Sequence, residues 1–195
     1  QGHAVRIIAP LESAADVPEL LTLPGRLAPT MIGHGHDRPL SIEADAFLVV
    51  ALRRLMDQAQ AGDVILNFSY DWLPLFLSDH LPCPLGTLVS MGSLNRSLDL
   101  EIRRIAACQP HRLAFLSAPQ AASFGLAGPT RLIPPGLDLA RYPYNAHPGP
   151  ALGWLGRIAP EKGLEDAFAL ADRTGATVMA FGVMQDRAYW DRLVR

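Results

Sequence analysis

Short apolar runs alternate with stretches of helical spacing along most of this chain. Residues 5–9 form a β-branched run closed by Pro10, a strand. Residues 11–40 are rich in proline and glycine and predict loop, with one strand at 28–32. From Ser41 the pattern turns helical, with Val49, Leu52, Met56 and Ala59 on one face and Gly62 as the stop. Residues 63–68 read as a buried strand and 85–91 as another. Leu94, Leu98, Ile102 and Ile105 then mark one face of a helix. A strand at 112–116, a short helix at 119–124 and a strand at 131–133 follow, before Pro134-Pro135-Gly136.

Residues 142–150 are a linker by composition. The rhythm restarts beyond it with a buried strand at 151–155, a helical pattern opened by Pro160 and Glu161 (Leu164, Phe168, Leu170, Ala171), a strand at 177–181 and a charged helix over 186–195. Strands alternating with helices predict parallel sheets and a doubly wound α/β architecture. The expected organisation is one domain over 1–141, a linker over 142–150 and the start of a second domain at 151.

Composition narrows the classes. The 195 residues are 49% hydrophobic and 18% charged, as in a globular chain. The net charge of −2 comes with no basic block, which argues against nucleic acid as a partner. No apolar run approaches the ~20 residues that span a bilayer, so no integral membrane segment is expected. Cys83 and Cys108 are too few for a disulfide framework, and a cytoplasmic setting is the default. His34-Gly35-His36 lacks a third metal ligand at sensible spacing and reads better as a loop with two exposed histidines. No Asp-x-Asp occurs, so no metal site and no cofactor is expected.

In open parallel sheets, ligands gather at the carboxyl ends of strands. That rule selects Tyr70-Asp71-Trp72, Ser90-Met91-Gly92-Ser93, Ser117, Pro135-Gly136, Gly156-Arg157 and Gly182. Trp72 is equally readable as core, and Asp71 as a helix cap. The turn at 153–163 says most. A strand ends in Gly156, Pro160 suits a first helical turn, and the helix amides would face an anion above the strand end. Arg157 offers a planar fork and Lys162 a point charge, a pair suited to a diphosphate. The same spacing also fits an ordinary strand–turn–helix with two solvated cations.

Gly156-Arg157-Ile158-Ala159-Pro160-Glu161-Lys162-Gly163 resembles the Gly-Arg-…-Pro-Glu-Lys-Gly signature of family 4 glycosyltransferases, which have the GT-B fold of two doubly wound Rossmann-like domains. The resemblance implies a retaining transferase. Arg157 and Lys162 would be catalytic, and Gly136, Gly156, Arg157, Lys162 and Gly182 would bind a nucleotide-sugar donor. Tyr70, Asp71, Trp72, Ser90, Met91, Gly92 and Ser93 would hold a small-molecule acceptor. Other stretches resemble the family with departures. Two extra residues precede Asp71-Trp72, Met91 stands where many members have histidine, and Pro135 replaces asparagine in Ile133-Pro134-Pro135-Gly136-Leu137-Asp138. Residues 67–74 and 88–94 are similar to UDP-glucose:tetrahydrobiopterin glucosyltransferases, which implies UDP-glucose as donor and a pterin acceptor. Residues 1–10 resemble a helix exit and second strand, which implies a first strand and glycine-rich loop before Gln1 and further C-terminal domain after Arg195. A GT-B nucleotide-sugar epimerase and a non-catalytic nucleotide-sugar-binding protein are the alternatives.

Overall fold

The structure, a computed structural model, describes residues 2–14, 16–17, 19–28, 35–147 and 149–194. The chain divides into two compact units, Gln1–Gly136 and Leu137–Arg195. Composition puts the first domain's end at 141, and the division falls a few residues earlier. Both units are mixed α/β, and their strands pair in parallel.

The first unit contains β1 (Ile7–Pro10), β2 (Leu20–Leu23), α1 (Phe47–Gln58), β3 (Ile65–Asn67), α2 (Trp72–Leu77), β4 (Leu85–Val89), α3 (Arg96–Cys108), β5 (Leu113–Phe115) and α4 (Ala118–Ala122). Among the described residues β1 pairs with β2, and β3, β4 and β5 form a separate sheet with β4 in the middle. One continuous sheet is therefore not seen. β2 lies in the stretch expected to be loop. Its Leu-Leu-Thr-Leu sequence is short, and pairing with β1 stabilises it where local composition does not. Of the strand expected at 28–32, Ala28 is irregular and 29–32 lie outside the described residues. The strand expected at 131–133 is reduced to a bridge between Leu132 and Phe115.

The α1 helix begins at Phe47, not Ser41. The Arg26 carbonyl accepts from the Phe47 amide at 2.9 Å, and the Arg26 amide donates to the Asp45 carbonyl at 3.0 Å. Those bonds hold Asp45 to Phe47 against the chain at Arg26, with Ala46 extended as the cap. Its buried residues are Ala51 and Leu52; Leu52 lies on the expected face, whereas Met56 points to solvent. α3 conforms more closely. Leu98, Ile102 and Ile105 are buried, while Leu94 precedes the cap Asn95, whose side chain accepts from the Ser97 amide at 2.9 Å.

The core of this unit packs Leu75, Val89, Leu98, Ile102, Leu113, Phe115 and Phe124 between α2, α3, α4 and the β4–β5 half of the sheet. β3 is not buried as its run of apolar residues suggests. Val64, Leu66 and Phe68 alternate outward on an edge strand and are exposed.

The second unit contains β6 (Leu152–Leu155), α5 (Leu164–Thr174), β7 (Val178–Phe181) and α6 (Arg187–Leu193). β6 also departs from the buried reading. Trp154 faces the helices, whereas Leu155 is 85% exposed on the other face. The core packs Ile158, Leu164 and Tyr189 with Trp154, Phe168 and Trp190. Leu170 lies outside it and is exposed. No helix among the described residues is long and apolar enough to cross a membrane.

Candidate functional site

The turn after β6 is built by backbone contact. The Gly156 amide donates to the Phe181 carbonyl at 3.0 Å, and the Ile158 amide to the Val183 carbonyl at 2.9 Å. The two strand ends therefore continue side by side past β6 and β7. Gly182 has φ 148°, and a Cβ there would stand 1.7 Å from the Gly156 carbonyl oxygen. Only glycine permits that approach. Gly156, Arg157 and Gly182 thus share the carboxyl edge of this two-stranded sheet, while Gly136 ends the first unit and has open space around it.

Pro160 to Lys162 form a single 3-10 turn rather than the start of the helix. Gly163, left-handed at φ 64°, caps α5, which begins at Leu164. The first amide of α5 is already used: Leu164 N donates to the Tyr189 hydroxyl at 3.1 Å, and that hydroxyl donates to the Glu165 carboxylate. This corrects the expectation of a free helix terminus facing an anion. Burial raises the Tyr189 phenol, and the bond from Tyr189 lowers the Glu165 carboxyl. What remains for an anion is the cationic part of the turn. The Arg157 guanidinium is oriented by Glu161 at 3.1 Å and by Gln185. Lys162 makes no ion pair among the described residues, and its side chain is exposed.

In the first unit a cavity of about 410 Å³ lies beside the β3–α2 turn. Its wall is largely apolar, with Leu27, Leu40, Ile42, Phe47 and Leu94, and it also carries Tyr70, Asp71 and Asn95. The volume suits a small organic ligand. Asp71 is 7% exposed and caps α2, its Oδ1 accepting from the Leu73 amide at 2.9 Å. Burial raises its carboxyl, against the pull of the Leu73 and Trp72 amides. The Tyr70 hydroxyl donates to the Gly92 carbonyl and accepts from the Leu94 amide at 3.2 Å, and burial pushes its phenol up to about 12. These bonds join the turns after β3 and β4.

The other expected acceptor residues take different places. Trp72 packs against the core, edge-on to Phe76, with its Nε1 buried and unpartnered among the described residues. Ser90 is exposed, and the Met91 carbonyl accepts from the Gln120 side-chain amide at 2.9 Å. Gly92 packs against Ser123, whose Oγ accepts from the Ser93 amide at 2.9 Å. The Ser93 hydroxyl donates to Asp99 Oδ2 at 2.6 Å.

Two side-chain pairings are not legible in the sequence. Arg26 forms a fork onto Asp45, both bonds 3.0 Å, and also pairs with Glu43, all on the cavity wall. These side chains are exposed, so the cluster adds little stability. The second is His36, whose Nε2 lies 3.0 Å from Oδ2 of buried Asp99. His36 is an exposed loop residue, as expected, but it is also tied to α3 through Asp99; His34 lies outside the described residues. Asp99 and His36 are 63 positions apart, a pairing no local signal reveals.

No known family model matches the chain, and a comparison with characterised proteins finds no significant match.

Proposed function

We propose that this protein is a retaining GT-B glycosyltransferase of family 4. It moves a sugar, glucose from UDP-glucose on the narrower resemblance, to a small flat acceptor such as a pterin, in the cytoplasm. The observation that carries the reading is the Gly156–Gly182 backbone contact at the carboxyl ends of two parallel strands, with Arg157 and Lys162 on the same turn. Small residues at such an edge let a diphosphate approach the main chain closely. Negative charge grows on the leaving diphosphate as the glycosidic bond breaks. Cations fixed beside it stabilise that state more than the bound substrate. Glu161 and Gln185 hold the Arg157 fork in place beforehand, and a diphosphate would displace Glu161 from it. The acceptor role falls to the first-unit cavity, where Asp71 offers a carboxylate within an apolar wall.

Calorimetry with UDP, together with a product assay on UDP-glucose and mixed acceptors, tests this. Arg157→Ala and Lys162→Ala should each cost about 1.5–3 kcal/mol of diphosphate binding, because each removes a charge-assisted contact. Arg157→Lys should also bind more weakly, a point charge being no substitute for a fork. A new glycoside supports transfer, whereas isomerised donor or binding without product favours the epimerase or the non-catalytic binder. Unchanged UDP affinity in both alanine variants overturns the assignment.

A further inference from the structure

The segment 35–40 forms one wall of the first-unit cavity through Gly35, Arg38, Pro39 and Leu40. Polar contacts fasten it to the start of α3. The Arg96 amide donates to the His36 carbonyl at 3.0 Å, and the Asn95 side-chain amide donates to the Arg38 carbonyl at 3.0 Å. The third is His36 Nε2 to Asp99 Oδ2 at 3.0 Å. The first two join neutral groups and are indifferent to pH. The third joins an imidazole that is 47% exposed to a carboxylate that is 3% exposed.

Asp99 lies in the first turn of α3, where negative charge suits the helix end. Its burial is nonetheless incompletely compensated. Ser93 and His36 share Oδ2, while Oδ1 is buried with no hydrogen-bond partner among the described residues. A buried carboxylate with an orphan oxygen gains most from a full positive charge beside it. His36 supplies that charge only when its imidazole is protonated.

We propose that His36 and Asp99 form a pH-dependent latch, fastening segment 35–40 against α3 when the imidazole is charged and slackening that wall of the cavity when it is neutral. Among the described residues, the charged groups facing His36 are Asp99 from α3 and Asp37 on its own segment, with Asp37 Oδ1 3.5 Å from Nδ1. Tyr70 feels the Asp99 charge but keeps its proton up to about 12, so it stays neutral throughout. The Asp99 hydrogen bond raises His36 above 6.5, burial works against it, and the remaining pull of both carboxylates adds to the rise. A histidine raised in the folded state contributes fully below its unfolded value and loses that contribution as pH climbs through the folded one. The latch is therefore shut on the acid side of 6.5 and opens above it.

The bearing of the latch on acceptor entry rests on the proposed function. The fastening does not, and the experiment reads fastening alone. The Arg96 amide is the reporter, since it donates to the His36 carbonyl. In the full chain, its hydrogen-exchange protection factor should fall several-fold between about pH 5.5 and about pH 8.5, in step with the His36 imidazole followed by NMR. The Ile105 amide, deep in α3, should hold constant. In His36→Gln, which keeps a donor but not a titrating charge, Arg96 protection should be flat over the same range. Asp99→Asn should lower the His36 titration point. A His36 that titrates at or below the ordinary histidine value, or Arg96 protection that varies as much in His36→Gln as in the unsubstituted chain, overturns the latch.

Discussion

The two units put polar groups at the carboxyl ends of parallel strands by different means. In Gln1–Gly136 side chains do the positioning: Asp71 caps a helix, Tyr70 ties two turns together, and Asp99 gathers Ser93 and His36. In Leu137–Arg195 the main chain does it, with Gly182 pressed onto Gly156 and Gly163 turned left-handed, while Arg157 and Lys162 stand at the surface. The first kind of site depends on a packed core behind it. The second depends on a few positions having no Cβ.

The first way to break this comparison is through the core. Phe124 is fully buried, with its ring 5.8 Å from that of Phe115, and its carbonyl accepts from Arg103 Nε at 2.7 Å. Phe124→Ala should cost about 3–5 kcal/mol through lost contacts and the cavity left behind. Hydrogen exchange in α3 should show that loss, while hydrogen exchange in α5 stays as before. Equal loss of protection in α5 would mean that the two units unfold as one.

How far this division was legible in the sequence depended on the distance over which each feature is decided. The inward face of α3 follows from Leu98, Ile102 and Ile105, because helical spacing and a thick core agree there. The strand at Leu20–Leu23 exists through its partner β1, which local composition does not encode. Apolar runs at β3 and β6 read as buried strands, but sheets of this width leave Leu66 and Leu155 exposed on one side. In the candidate sites, the glycines and cations of 156–182 were visible because they form one local string. The start of α5 was misplaced because Pro160 is compatible with a 3-10 turn as well as a first helical turn, and Gly163 decides between them. Asp99 carries no signal in the sequence that sets it apart, and only the folded chain brings His36 to it.

The main-chain site should fail at a substitution that removes no contact at all. Gly182→Ala forces a side chain into φ 148° and sets a methyl 1.7 Å from the Gly156 carbonyl oxygen. Strain of that backbone conformation is on the order of 1–3 kcal/mol, and relieving the clash must also separate the strand ends. The expected outcome is weaker protection of the Gly156 and Ile158 amides, with UDP binding lost in parallel. Gly153→Ala is the control, since a Cβ there meets nothing within 4 Å and Gly153 sits on β6, the strand that leads into Gly156. If Gly182→Ala behaved like Gly153→Ala, main-chain packing would not be what shapes the turn.

The smallest effect sharpens the side-chain half of the comparison, because it separates the two things Asp71 does. Its Oδ1 caps α2 through the Leu73 amide, and its charge is carried into a largely apolar surrounding. Asp71→Ala loses the cap and should cost about 1 kcal/mol. Asp71→Asn keeps the acceptor oxygen and drops the charge, and asparagine caps as well as aspartate. Burial raises the Asp71 carboxyl above 3.8, so the folded state holds this proton more tightly than the unfolded state does. The group is therefore no burden at pH values below 3.8 and becomes one as pH rises through its folded value, where the ionised form must be kept out of water. At neutral pH Asp71→Asn should then be at least as stable as the unsubstituted chain, and that advantage should shrink as the pH is lowered towards 3.8. Urea midpoints at neutral and acid pH measure both variants. An Asp71→Asn chain as unstable as Asp71→Ala at neutral pH would show that the cap depends on the charge itself, and that the cavity wall is wetter than its apolar lining implies.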